Sequence, residues 1–135
     1  MTTPAPLAAS ALVALGGGTG AVLRYQLGRG LTHWLGAAAV TAFPWATLVV
    51  NIVGSLAMGL LAGAVSRLGT SGDTWRLLVG VGLLGGFTTF SAFSLEMMML
   101  IERGQGALAV TYAAVSVLGG LSGLYIGLIV MRIAA

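Results

Sequence analysis

Four hydrophobic runs, Leu7 to Leu31, Pro44 to Ser66, Trp75 to Ile101 and Ala107 to Met131, occupy nearly all of this 135-residue chain. Crossing about 30 Å of hydrocarbon takes about 20 apolar residues at about 1.5 Å of rise each, and every run reaches that length. With 58% hydrophobic and only 7% charged residues, the chain has too little polar surface to fold in water. The expected fold class is an all-α membrane protein, one domain of four transmembrane helices. Trp34, Trp45 and Trp75 fall at the ends of runs, where indole rings anchor helices at the lipid–water interface. Pro44 suits a helix first turn.

The connections are short, His33 to Phe43, Arg67 to Thr74 and Glu102 to Gly106, and leave no room for an extramembrane domain. His33 and Asp73 are expected in these loops. The leader, Met1 to Pro6, lacks the basic n-region of a cleaved signal peptide. There is no cysteine and one histidine, which excludes disulfides, thiol catalysis and a histidine or cysteine metal cluster. All six basic residues are arginine and they are spread along the chain, so the net charge of +3 does not form a nucleic-acid patch. Gly16 to Ala21 matches G-x-G-x-x-A. No βαβ pattern surrounds it and no acid precedes Asp73, which excludes a dinucleotide site.

An even number of spans puts both termini on one side. Arg67, Arg76 and Arg132 then face Arg29 and Arg103, and three against two is almost no positive-inside bias. A chain that inserts both ways can pair as an antiparallel two-fold dimer. Alternatively, the one-arginine difference, together with Arg24, fixes a single orientation.

One stretch inside the third run resists a regular helix. Gly85 to Ser94 reads Gly-Gly-Phe-Thr-Thr-Phe-Ser-Ala-Phe-Ser, and its glycines, β-branched threonines and aromatics each lower helix propensity. A broken helix is stable in a bilayer only where protein or water satisfies the freed backbone groups. The stretch therefore reads as a break lining a polar path, or as a Gly/Ser/Thr helix contact face.

Other polar residues share helical faces. Gly16, Gly20, Arg24 and Gly28 form one stripe, with Arg24 either facing an aqueous vestibule or snorkelling to the interface. Asn51, Ser55, Gly59 and Gly63 form a second, in which Asn51 either glues helices or offers a donor to a solute. Tyr112, Ser116, Gly120, Gly123 and Gly127 form a third, whose hydroxyls offer polar contacts or simply bond the preceding turn. Phe90 and Phe93, three apart, are either core or a pair presenting positive ring edges to an anion. Glu96, one turn later, either ends the polar track or pairs with a surface arginine. No paired carboxylates, Ser-His-Asp set or first-span acid is present, so the chain is read as neither an enzyme nor a proton-coupled pump. Neutral donors with ring edges fit a small, tightly hydrated anion, which a deep cationic side chain would trap.

These residues coincide with three motifs. Gly20-Ala21-Val22-Leu23-Arg24-Tyr25, Thr47 to Ser55 and Gly85 to Ser94 occur in order on the first three spans, and the chain resembles the small bacterial fluoride channels, the Fluc or CrcB family. The resemblance implies an antiparallel, dual-topology homodimer in the cell (plasma or inner) membrane with two fluoride pores and a broken third helix. It implies Asn51, Phe90, Phe93, Ser91, Thr89, Tyr112 and Ser116 along the pore, Arg24 at the vestibule and Glu96 at the pore end. It also implies a structural sodium ion on the dimer axis, held by the carbonyls of Gly85 and Thr88. The implied activity is passive fluoride exit, protecting the cell from fluoride. The competing functions are a small multidrug exporter, which needs a first-span carboxylate this chain lacks, and a non-conducting accessory subunit.

Overall fold

The computed structural model describes residues 4–134, the side chains of Thr70 and Ser71 excepted. Among the described residues every regular element is helical, and four helical stretches are long and apolar enough to cross a membrane. Helix α1, Pro6–Leu35, starts on a proline whose missing N–H costs nothing in a first turn. It stops at Gly36, where φ of +86° is open to glycine and the N–H returns to Thr32 O at 3.0 Å. The short helix α2, Ala37–Ala42, and extended Phe43 lead into α3, Trp45–Val65.

The third crossing, Asp73–Glu102, is composite. It begins with α4, Asp73–Trp75, continues as a π-helical segment, Arg76–Leu84, and resumes α-helical winding in α5, Gly85–Phe87. Helix α6, Phe90–Glu102, completes it, and a turn through Gly104 leads to α7, Gly106–Ile133.

Several expected loops are ordered helix. The first crossing runs four residues past Leu31, so His33 lies in its last turn rather than in a loop. The connection to α3 contains α2. Asp73 opens α4 and pairs with Arg76 at 3.4 Å, the stabilising place for an acid at a helix start. Pro44 precedes α3 instead of occupying its first turn. Residues 1–3 of the leader lie outside the described residues.

Glycine positions two helix seams. A Cβ on Gly16 or Gly20 would collide with the carbonyls of Leu78 or Leu83, and one on Gly86 would strike Gly17, so α1 lies backbone to backbone on the third crossing. The stripes on α3 and α7 likewise meet: a Cβ on Gly59 would strike Leu124 O, and one on Gly127 would lie 2.7 Å from Leu60 N. With lipid as apolar as leucine, such close approach replaces the hydrophobic effect as the force between helices. A small core of Leu48, Leu100, Ala109 and Tyr112, with Phe43 and Phe93 against it, closes the bundle where α3, α6 and α7 meet.

Candidate functional site

At Thr88 and Thr89 the third crossing leaves helical geometry. Their backbones are extended, with φ/ψ of −77°/159° and −152°/124°. Thr88 N–H still reaches Leu84 O at 2.9 Å, and its hydroxyl donates to the same carbonyl. Thr89 N–H instead donates to Asn51 Oδ1 at 2.9 Å, while Asn51 Nδ2 donates back to Thr89 O at 3.0 Å. One carboxamide thus satisfies both backbone groups of the residue that an unbroken helix would have served. Thr89 Oγ1 then accepts from Ala92 N–H at 3.2 Å and caps α6. Gly54 makes the arrangement possible, because a Cβ there would overlap the Thr88 methyl.

The same exchange frees two carbonyls. In a continuous helix Gly85 O would take the N–H of Thr89 and Thr88 O that of Ala92. Both donors are spent on side chains instead, Asn51 and Thr89 Oγ1.

A cavity of about 270 Å³ opens beside the break, lined by Asn51, Gly54, Ser55, Thr88, Thr89 and Phe90 among others. Asn51 carries two amide hydrogens and gives one to Thr89, which leaves a second donor at this cavity. The Thr89 hydroxyl lies 3.3 Å from that of Ser91. Phe90 is 80% exposed on the outer face of the chain. From it a chain of rings runs inward: Phe93 at 5.7 Å between centroids, Tyr112 a further 5.1 Å on, and Phe43 edge-on to Tyr112 at 5.4 Å.

Glu96 lies beside the inner rings. Thr47 Oγ1 donates to one carboxylate oxygen and the Tyr112 hydroxyl to the other, each at 2.7 Å. Both bonds are short, and Tyr112 is fully buried. Hydroxyls, not a surface arginine, satisfy this carboxylate; among the described residues the ion pair is Asp73–Arg76. One turn along α7, Ser116 Oγ is buried without a hydrogen-bond partner, so it does not bond back to its own preceding turn.

The structure therefore gathers Asn51, Thr89, Ser91, Phe90, Phe93, Glu96, Tyr112 and Ser116 into one strip. Arg24 lies apart from it, in a cleft of about 670 Å³ shared with Tyr25, Arg29, Thr32 and His33. Arg29 stacks its guanidinium 5.8 Å from the Tyr25 ring there. Thr47 and Phe43 also take part, and neither stands out as a site residue in the sequence. The spacing of Thr47 and Asn51, one helical turn, is the signal that points to the former. No cluster of three or more His, Asp or Glu side chains forms among the described residues.

The architecture and strip define a multi-pass helical membrane protein with hydrogen-bonding groups threaded through its apolar interior. The family model described as CrcB-like protein, Camphor Resistance (CrcB), matches residues 11–128, and the chain belongs to this family. It is 56% identical to the fluoride-specific ion channel FluC of Erythrobacter litoralis over an alignment of 136 positions that covers 100% of each chain. It is also 56% identical to that of Novosphingobium aromaticivorans, covering 93% of this chain and 98% of the relative. The counterpart from Rhodospirillum centenum is 51% identical, with coverage of 90% and 94%.

Proposed function

We propose that this chain is a fluoride-selective channel that lets fluoride leave the cell by electrodiffusion. One observation carries the reading: two hydroxyls, from Thr47 and Tyr112, converge inside the bundle on the two oxygens of the part-buried Glu96 carboxyl group, each at 2.7 Å. Donors that hold a carboxylate this way suit another hard, compact anion. The free amide hydrogen of Asn51, the unpartnered Ser116 hydroxyl and the ring edges of Phe90 and Phe93 extend the same chemistry along the strip. Each supplies a partial positive charge and none a full one. Binding is then strong enough to replace hydration and weak enough to release.

The working unit in this reading is an antiparallel, dual-topology homodimer in the cell (plasma or inner) membrane. Phe90 and Gly85 are exposed on the protomer beside the break, and a second copy would cover them and close the pore wall. The nearly balanced arginines allow both insertions. The carbonyls of Gly85 and Thr88, whose helical donors are diverted, fit a hard cation. A sodium ion bound there would supply positive charge to satisfy carbonyls of both halves of the dimer.

Reconstituted vesicles loaded with fluoride test the proposal, with a fluoride electrode outside and a pH dye inside. Rapid fluoride release without proton movement is expected. Proton-coupled release would favour an exporter, and silence at high protein density an accessory subunit.

A further inference from the structure

Beyond Glu96 the polar strip does not end against lipid. A crevice of about 260 Å³ continues from that carboxylate, with Thr41, Pro44, Ala46, Leu100 and Arg103 in its walls. Glu96 and Arg103 are seven residues apart, two turns along one face, so about 10 Å of helix separates the buried hydroxyl pair from the arginine. Arg103 caps the end of α6 and is exposed. Its Nη1 donates to Thr41 O at 3.2 Å, which ties the end of the third crossing to α2. Neither carboxylate oxygen of Glu96 is within ion-pair distance of it; both are taken up by hydroxyls.

We propose that Arg103 is the mouth residue of the ion path: it raises the local fluoride concentration at the membrane surface and marks where the crevice delivers ions to the Thr47 and Tyr112 hydroxyls beside Glu96. The inference rests on the fluoride-channel reading. A guanidinium at this position differs from one deep in the bundle. Solvent screens it, so it attracts an anion without trapping it, and its effect fades within about 8 Å at physiological salt. Charge that focuses ions into a cleft accelerates entry, and added salt removes the gain.

The test is fluoride efflux from vesicles at sub-saturating fluoride, in dilute and in concentrated impermeant salt, for wild type and three substitutions. At low salt, Arg103→Lys should conduct like wild type, Arg103→Gln about threefold more slowly and Arg103→Glu about tenfold more slowly. At about 0.5 M salt the four should converge, because the Debye length there is only a few ångströms. If Arg103 serves only to tether Thr41, Lys and Gln will be slowed alike and salt will not matter; that pattern overturns the proposal. Wild-type speed in Arg103→Glu at low salt overturns it as well. Wild-type vesicles that release no fluoride would instead strike the channel reading itself.

Discussion

The glycine seams and the polar strip lie within a few turns of each other, and they solve the same problem in opposite ways. Along α1 and the π-helical segment, and between α3 and α7, side chains are removed so that backbones touch. In the strip from Thr89 to Glu96, side chains are added whose hydrogen-bonding capacity exceeds what the fold consumes. Asn51 keeps an amide hydrogen to spare and Ser116 has no partner. Packing explains the seams completely. It does not explain an unpaired buried hydroxyl, which costs on the order of 1–3 kcal/mol.

Substitutions in the two regions should therefore separate stability from conduction. The largest effect is expected from Gly20→Val, whose branches would press on Leu83 O and Phe87 N. A loss of about 3 kcal/mol, the upper end of what overpacking costs, should appear as early thermal unfolding in detergent. An unshifted melting curve would show that the seam is looser than described. Asn51→Asp should leave the protein assembled yet cut fluoride flux at least about 100-fold, since a negative charge at the break repels the ion. Normal throughput would take Asn51 off the route.

Tyr112→Phe keeps the ring and deletes one hydroxyl. Losing a hydrogen bond to a charged group should slow efflux about tenfold with unchanged elution from a sizing column. Phe93→Ile should slow flux about fivefold by removing the ring edge, again without loss of assembly. Full-speed flux would return Phe93 to the core. Ser116→Ala is the mildest and sharpest. It should raise or preserve thermal stability, because it deletes an unsatisfied group, and lower flux about twofold. Reduced stability would place Ser116 among the packing residues instead.

Much of this comparison is legible in the sequence. Apolar runs of membrane-spanning length mark the four crossings, and the helical stripes on α3 and α7 foretell which faces meet. Other features depend on tertiary contact. The π-helical winding of Arg76–Leu84 leaves no periodic trace in the sequence, although the glycines it packs against, Gly16 and Gly20, do. The extension of α1 past His33 depends on where a positive-φ glycine falls, and Gly30 and Gly36 are equally plausible stops in sequence. For Glu96, the alternatives of surface arginine and polar track could not be separated by spacing. Its partners Thr47 and Tyr112 lie on two other helices. Asn51 illustrates the remaining gap: spacing does not reveal its clamp on Thr89, which uses one amide hydrogen and leaves the other.

The central claim is that neutral donors and ring edges take the place of water around one particular anion. It is tested most directly by following fluoride and chloride release from a single vesicle preparation carrying about one dimer per vesicle. Fluoride should empty from the occupied vesicles while chloride stays at the level of bare lipid. Equal release of both ions would mean a water-filled hole without this chemistry, and would contradict the account.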